Sequence, residues 1–243
     1  MKAISILNII KGLIISLIAI ASVYYALQLD IFTNFRMKLL GKKTVADRVY
    51  QYEANVNSKL RPFFEAAHAT YPPQDVVLLY IKSQKTLSLF AKDLTNNFVL
   101  IKTYTVLAAS GKSGPKLREG DYQVPEGVYG VEGLNPNSEY HLALRVNYPN
   151  ADDLRHAHDD GRTKLGGDIM IHGSDASIGC LAMGDEAIEE LFVLAAKSNY
   201  RKWQLIFAPV DFRKGEVAPP PRFAASWIPD RYAEIAKEMS KLP

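Results

Sequence analysis

The sequence has very little cysteine and no excess of charge of either sign. A single cysteine, Cys180, occurs in 243 residues, which excludes a disulfide-stabilised scaffold and a cysteine-rich zinc site. The 29 Lys and Arg residues stand against 26 Asp and Glu residues. A body this close to neutral does not attract nucleic acid over long distances, so we expect no nucleic-acid partner. The composition, with 48% hydrophobic residues, is that of a globular protein.

One segment near the N-terminus lacks charge altogether. Residues 12–29 contain no charged side chain, and two lysines precede them. Such a segment is near the lower length limit for crossing a bilayer, and its basic N-terminal flank predicts that the rest of the chain is exported. The alternative is a cleaved signal peptide, for which residues 19–21 offer a site of small residues. We therefore predict a membrane anchor or signal segment over residues 1–29.

The spacing of hydrophobic residues then changes along the chain. In residues 42–69 they recur at intervals of three and four, which predicts an amphipathic helix; we assign residues 30–73 to a helical stalk or to a helix packed on the domain. Residues 74–212 are rich in short runs of period two, which predict strands. Residues 213–243 are expected to form a C-terminal extension with a helix. The fold predicted is a β-rich α+β sandwich with a few flanking helices.

Finer expectations follow from the same patterns. Two segments dense in turn and polar residues, 111–133 and 151–167, are predicted to be loops. Asp185 is predicted to cap a helix that ends at Lys197. The predicted strands are 76–82, 86–92, 98–109, 141–148, 168–171 and 203–210.

The window with the clearest chemistry is IMIHGSDASIGCLAMGD, residues 169–185. It puts His172 at the end of a predicted strand and Cys180 eight residues later. A thiol is a weak nucleophile at neutral pH, and an imidazole within hydrogen-bond distance can take its proton and return it to the leaving group. Because Gly179 has no side chain, the N–H groups of Gly179 and Cys180 can turn toward a substrate oxygen as an oxyanion hole. Either Asp175 or a main-chain carbonyl could orient the imidazole.

This window resembles the catalytic motif of the YkuD-type L,D-transpeptidases, in which His-Gly is followed by Ser/Thr-His-Gly-Cys. Residues 177–180, SIGC, match that tetrapeptide except that Ile178 stands in place of the second histidine. This departure and the short interval before Cys180 resemble the YafK-like branch of the family. Two further matches occur in the family's order, REGD with PEGVY within residues 118–129 and RVNYPN at residues 145–150.

The resemblance implies a bacterial cell-envelope enzyme, on the periplasmic side of the inner membrane, that acts on peptidoglycan stem peptides. Cys180 would form a thioester with the peptide, and His172 would act first as general base and then as general acid. An amine acceptor would complete transpeptidation, whereas water would complete an amidase or carboxypeptidase reaction. The YafK-like branch is associated with hydrolysis, including release of protein attached to peptidoglycan, so hydrolysis is favoured. No cofactor or metal is expected.

The residues around the nucleophile supply candidates for binding the substrate. Arg145 is a candidate because arginine binds carboxylates well, although a surface ion pair is the ordinary role of such a residue. Ser177 could hydrogen-bond either the substrate or the local backbone. Tyr148 could border the cleft or pack in the core. Gly173, next to the predicted base, completes this set.

Two alternatives from other classes remain open. The first is an envelope-binding scaffold that keeps the fold without turnover. The second is a metal-dependent hydrolase that uses His156 and His158, although their surroundings favour a solvated loop, which could act as a lid over the site.

Overall fold

The computed structural model describes residues 15–16, 41–221 and 225–243. The predicted anchor or signal segment therefore lies almost wholly outside the described residues. Within the part of the chain that is described, no helix combines the length and the apolar character needed to cross a bilayer. The chain divides into two compact units, residues 1–43 and residues 44–243, and the second unit carries the features that follow.

The described part of this unit contains nine strands and four helices. The strands are β1 (Val76–Ile81), β2 (Thr86–Lys92), β3 (Phe98–Thr105), β4 (Ala108–Ala109), β5 (Gly127–Ser138), β6 (His141–Val146), β7 (Met170–His172), β8 (Leu181–Ala182) and β9 (Gln204–Ala208). The helices are α1 (Val45–Ala66), α2 (Ala151–Asp159), α3 (Asp185–Lys197) and α4 (Ile228–Met239).

The nine strands form one sheet in the order β3-β2-β1-β9-β5-β6-β7-β8-β4. The pairs β1/β9 and β7/β8 are parallel, and the other neighbours are antiparallel. Strand β5 joins the two halves, because its residues 127–130 pair with β9 and its later residues pair with β6. The β-rich α+β class predicted from the sequence is confirmed. The expected sandwich differs in one respect: its two halves belong to one continuous sheet.

Strand β1 explains where the core lies. All six of its residues are buried, and their side chains alternate between two hydrophobic clusters. Leu78 and Tyr80 belong to the main cluster, which also holds side chains from β6, β7 and α3. Leu79 and Ile81 belong to a second cluster with residues of α4. The sheet is thus covered on both faces, which is why β1 is hydrophobic throughout.

Helix α1 packs on the domain. Thr44 caps its first turn, and the Thr44 and Asp47 side chains each accept a hydrogen bond from the other residue's backbone N–H. Val56, Leu60 and Phe64, spaced at four residues, are buried in the main cluster. Pro62 lies within the helix and does not end it.

The two segments predicted to be loops contain regular structure, so these predictions were wrong. Strand β5 begins inside the segment 111–133, and helix α2 begins inside the segment 151–167. Asn150 and Asp153 form a capping box at the start of α2. That short helix is predominantly polar, so hydrophobic spacing gives little sign of it, and its cap carries the signal instead. At α3, Gly184 is the cap and Asp185 is the first helical residue.

Candidate active site

The pairing of β7 with β8 brings together the two segments that carry the predicted catalytic residues. His172 lies opposite Ala182 in this parallel pair, and the same register carried back two residues puts Cys180 beside Met170. The backbone of Met170 hydrogen-bonds the Cys180 sulfur. Because side chains alternate along a strand, Met170 and His172 share a face, and the buried Ile171 points the other way. His172 ends β7 and Cys180 directly precedes β8, so the two residues lie on neighbouring segments of the sheet.

A main-chain carbonyl orients the His172 imidazole. His172 is 2% exposed, and its Nδ1 lies 2.6 Å from the carbonyl oxygen of Gly173. A carbonyl can only accept, so Nδ1 carries the proton and Nε2 of the neutral ring has a free lone pair. Among the described residues every fully buried side-chain nitrogen or oxygen has a hydrogen-bond partner. Because Nε2 has no such partner, it keeps contact with solvent. Asp175, the other candidate for this role, is exposed.

Gly173 serves packing as well as orientation. A Cβ atom at this position would lie 2.5 Å from Oδ1 of Asp185 and 2.8 Å from the carbonyl oxygen of Tyr140. Any larger residue would therefore displace the carbonyl that holds His172.

Cys180 is half-buried and lines a pocket of about 210 Å³. Its Sγ donates to the carbonyl oxygen of Asp168 at 3.5 Å. The pocket is lined by Lys116, Glu119, Gly120, Tyr122, Gly166, Gly167, Asp168, Ile169, Ile178, Gly179 and Cys180.

The thiol and the imidazole are both neutral at rest. Burial raises the pKa of the Cys180 thiol, and the Asp168 carboxylate raises it further. The Met170 backbone and Lys116 lower this pKa, but they only partly offset the rise. Burial lowers the pKa of the His172 imidazole, and the hydrogen bond to the Gly173 carbonyl, which raises this pKa, only partly offsets the effect. The thiol bonds Asp168 instead of the imidazole. Catalytic hydrogen bonds often tighten only when substrate binds, so this arrangement suits an unliganded site.

The two N–H groups of the predicted oxyanion hole are held by serine hydroxyls. The N–H of Gly179, where φ is 99°, donates to Oγ of Ser110 at 2.6 Å. The N–H of Cys180 donates to Oγ of Ser177 at 3.0 Å, and that hydroxyl donates to the Cys180 carbonyl oxygen at 2.5 Å. Ser177 thus braces the nucleophile loop. A substrate oxygen that used this hole would take the place of both hydroxyls.

Two predicted substrate-binding residues, Arg145 and Tyr148, are not among the residues that line the Cys180 pocket. Arg145 pairs with Glu132 at 2.9 Å and with Asp168 at 3.0 Å, so it fixes the residue whose carbonyl accepts from Cys180. Tyr148 is 5% exposed and belongs to the core. Its hydroxyl donates to the carbonyl oxygen of Lys116 at 3.3 Å. Each of the two residues therefore contacts a residue that lines the pocket, Arg145 through Asp168 and Tyr148 through Lys116.

The wall of the pocket includes a loop that the REGD motif organises. Lys116 is buried, and its Nζ lies 2.7 Å from Oδ1 of Asp121. Asp121 also accepts the N–H groups of Leu117, Arg118 and Gln123. One carboxylate therefore fixes the whole turn from residue 116 to residue 123.

A larger pocket of about 700 Å³ adjoins this wall. It shares Gly120 and Tyr122 with the Cys180 pocket. Its other lining residues are Pro115, Leu117, Arg118, Asp121, Gln123, Asp160, Arg162, Ala225 and Ser226. A substrate that is longer than the first pocket can therefore continue into the second.

Three positions that sequence reasoning missed, or interpreted otherwise, surround the site. Ser110 lies 69 residues before the N–H that it accepts, and the ring of Tyr140 lies tilted against that of His172; sequence spacing gave no sign of either contact. His156, which was interpreted as a loop residue, lies on α2 and stacks on Trp227 with 4.3 Å between ring centroids. In the described part of the chain no group of three His, Cys, Asp or Glu side chains could hold a metal ion.

Comparison with known proteins shows which family the chain resembles. Residues 74–204 match the family model of the L,D-transpeptidase catalytic domain, YkuD. Over 119 residues the chain is 38% identical to the putative L,D-transpeptidase YafK of Escherichia coli strain K12, and the same identity holds for YafK of Escherichia coli O157:H7. These alignments cover 48% of this chain and 46% of YafK. The chain therefore spans about half the length of the curated relatives that it matches.

Two solved structures are similar at low identity. The helical cell shape determining protein Pgp2 from Campylobacter jejuni aligns with a TM-score of 0.47 and 20% identity, covering 71% of this chain and 57% of Pgp2. Bd1075 from Bdellovibrio bacteriovorus aligns with a TM-score of 0.42 and 19% identity, covering 71% of this chain and 56% of Bd1075. The family match alone extends over more than half of the 243 residues. The chain belongs to the family of the L,D-transpeptidase catalytic domain, YkuD.

Proposed function

We propose that this protein is a cysteine-dependent acyl-transfer enzyme of the bacterial cell envelope that acts on peptidoglycan stem peptides. The proposal is based on the positions of Cys180 and His172. Cys180 lines a pocket, and His172, whose imidazole is held by Gly173 with Nε2 unprotonated, ends the strand that pairs with the residues directly after Cys180. This is the pair of groups that nucleophilic acyl transfer needs.

Acylation begins with proton transfer, because both groups are neutral at rest. Nε2 of His172 takes the thiol proton while Sγ of Cys180 attacks the carbonyl carbon of a peptide bond. The tetrahedral intermediate then loses its C–N bond, and the imidazolium gives the proton to the departing amine. The products are a thioester on Cys180 and a free amine.

Deacylation uses the same base in the reverse order. Water or an amine attacks the thioester carbon and gives a proton to Nε2 of His172. The C–S bond breaks, and the imidazolium protonates the sulfur of Cys180. The oxyanion of each intermediate is stabilised by the N–H groups of Gly179 and Cys180 once the serine hydroxyls give way.

We propose hydrolysis as the main outcome. Ile178, which stands where the common family motif has a second histidine, is 71% exposed and lines the pocket. His172 can deprotonate either acceptor, but an aliphatic side chain at this position cannot hydrogen-bond an incoming amine and hold it in the pocket in place of water. The adjoining pocket of about 700 Å³ has room for a segment joined to the stem peptide, so protein linked to peptidoglycan is included among the proposed substrates.

The proposed location is the periplasmic side of the inner membrane. The uncharged segment at residues 12–29 would anchor the chain there, or direct its export before cleavage. The peptidoglycan mesh is accessible from that compartment alone.

Products of muropeptide incubation test the proposal. Full-length protein in a mild detergent is incubated with muropeptides and with a protein-linked muropeptide, with and without a D-amino acid, and product masses are measured. We expect a product that gains water, and its loss in Cys180→Ala. A product that gains the D-amino acid instead would replace hydrolysis by transpeptidation. No product and no adduct on Cys180 with any substrate would favour the scaffold alternative.

A further inference from the structure

The ring of Tyr140 lies against the imidazole of His172. The ring centroids are 4.7 Å apart, and the ring planes differ by 31°. Tyr140 is itself 41% exposed, so its ring lies between solvent and one face of the imidazole. The Tyr140 hydroxyl has no hydrogen-bond partner among the described residues. Tyr140 therefore contacts His172 through its ring.

The turn that carries Tyr140 connects β5 with β6 and is held by several contacts. The N–H of Tyr140 donates to Oγ of Ser138 at 3.1 Å. The next residue, His141, has a φ of 74°, in the left-handed region. Its Nε2 lies 2.9 Å from Oε1 of Glu189 on α3, and its ring meets the edge of Tyr52 with centroids 5.6 Å apart. These contacts hold an unusual backbone conformation in place.

Helix α1 reaches this turn with two side chains. Besides the contact of Tyr52, Nε of Arg48 donates to the carbonyl oxygen of Pro136 at 2.9 Å. Positions four residues apart share one face of a helix, so both contacts come from the same side of α1. This helix lies outside the family match at residues 74–204. The helix thus packs both on the core and on the hairpin that carries Tyr140.

We propose that Tyr140 is a positioning residue that fixes the plane of the His172 imidazole and shields it from water, and that α1 holds Tyr140 in place. The inference rests on the proposed role of His172 as the base. A ring in contact with the imidazole restricts rotation about the bond that joins the imidazole to its side chain, so Nε2 keeps its direction. Exclusion of water favours the neutral ring, which is the form that can accept the thiol proton.

The charged and titratable groups around His172 come from three elements, the loop of Cys180, helix α3 and strand β6. Cys180 lies on the adjoining loop, Asp185 at the start of α3 contacts the Gly173 position, and the His141–Glu189 pair lies beyond Tyr140. Burial is the main cause of the lowered pKa of His172. Removal of the cover should therefore change this pKa through solvation, without a change in neighbouring charge.

The test compares Tyr140→Ala with Tyr140→Phe in the full-length protein. Histidine-labelled protein is titrated by NMR, with His172→Gln used to assign the signal, and the pH profile of Cys180 alkylation is recorded. We expect Tyr140→Ala to raise the His172 pKa by about 0.5 to 1 unit and to shift the profile, whereas Tyr140→Phe keeps the wild-type values. A wild-type pKa and profile in Tyr140→Ala would overturn the proposal.

A second comparison tests the part played by α1. Tyr52→Ala removes the contact with His141, and Tyr50→Ala, at a position that is 90% exposed on the same helix, is the control. We expect Tyr52→Ala to move the His172 pKa in the same direction as Tyr140→Ala, and Tyr50→Ala to leave it unchanged. Equal values in both helix variants would show that α1 does not hold the turn. This pair also decides the matter if Tyr140→Ala fails to fold.

These readouts need no substrate. The inference therefore fails if the His172 pKa is insensitive to Tyr140, even where muropeptide turnover is found. The proposed function fails independently, if turnover persists in Cys180→Ala, even where the His172 pKa responds as expected.

Discussion

At the scale of single residues, the site combines a thiol that is hard to ionise with an imidazole that is hard to protonate. Burial acts on both groups, and it raises the pKa of Cys180 while it lowers the pKa of His172. A preformed thiolate–imidazolium pair is disfavoured under these conditions. We therefore propose that the nucleophile is activated when the thiol proton moves to His172, as substrate excludes the remaining water.

Asp168 offers a direct test of the charge around the thiol. Its carboxylate raises the pKa of Cys180, so Asp168→Asn should lower this pKa and speed alkylation by iodoacetamide at neutral pH. The backbone φ of 55° at this position suits asparagine. The measurement is the alkylation rate as a function of pH. Glu132→Gln, which removes the other partner of Arg145, serves as the control, and an equal or slower rate in Asp168→Asn would contradict the account.

Gly179 is required for its backbone conformation. Its φ of 99° is strained for any residue with a Cβ, although space is available, since the nearest atom would lie 3.8 Å away. Gly179→Ala should therefore cost about 1 to 2 kcal/mol of stability and lower the rate of Cys180 acylation. Gly133→Ala, at a glycine with no neighbour within 4 Å, should change neither. Thermal unfolding and adduct mass measure the two effects, and equal losses in both variants would contradict this assignment.

Ile178 bears on the choice between water and amine. Ile178→His restores the residue of the common motif at an exposed position of the pocket. The added imidazole can deprotonate an amine, so the ratio of aminolysis to hydrolysis should rise roughly tenfold, a small part of what a well-placed base contributes. Ile178→Leu should keep the wild-type ratio. Product masses in the presence of a D-amino acid measure it, and no rise in the histidine variant would speak against this role.

At the scale of elements, the sequence predicted those parts that depend on local pattern. The window at residues 169–185 led to the family, which is confirmed, and period-two runs led to the β-rich class. The placement of Tyr148 and Arg145 could not be predicted, because a strand pattern does not say which element covers each face. The contacts of Ser110 with Gly179 and of Tyr140 with His172 join distant segments, and a single sequence carries no signal for them.

The loop at residues 116–123 depends on the charge of Asp121. Burial raises the pKa of Asp121, but Lys116 and three backbone N–H groups outweigh burial, and the pKa lies below its ordinary value. A lowered carboxyl pKa stabilises the fold above the unfolded-state pKa, and this contribution is lost as pH falls through the folded-state value.

Asp121→Asn should therefore destabilise the protein at pH 7 by about 1 to 3 kcal/mol. The difference from wild type should shrink as the pH falls below about 4, because the unfolded carboxylate is protonated there and the native one is protonated at still lower pH. Thermal unfolding over this pH range measures the difference. The matched variant Asp175→Asn, at an exposed carboxylate, should stay close to wild type at every pH, and a constant difference for Asp121→Asn would contradict the charge-based explanation.

At the scale of the whole molecule, one continuous sheet connects the site to the flanking helices. Strand β5 runs through both halves of the sheet, and its turn carries Tyr140 to His172. On the other side, Arg231 of α4 is 4% exposed and pairs with Asp153 and Asp152 of α2. Helices α1 and α4, which precede and follow the family match in the sequence, therefore both pack against the domain.

The central claim is that Cys180 carries the acyl group during turnover. Full-length protein is mixed with a muropeptide and the reaction is quenched in acid within seconds. The mass of the protein is then measured by intact-protein mass spectrometry. The account predicts a mass increase equal to the acyl group on Cys180, removed by hydroxylamine, slower to form in His172→Gln and absent in Cys180→Ala. Muropeptide turnover at the wild-type rate in Cys180→Ala would contradict it.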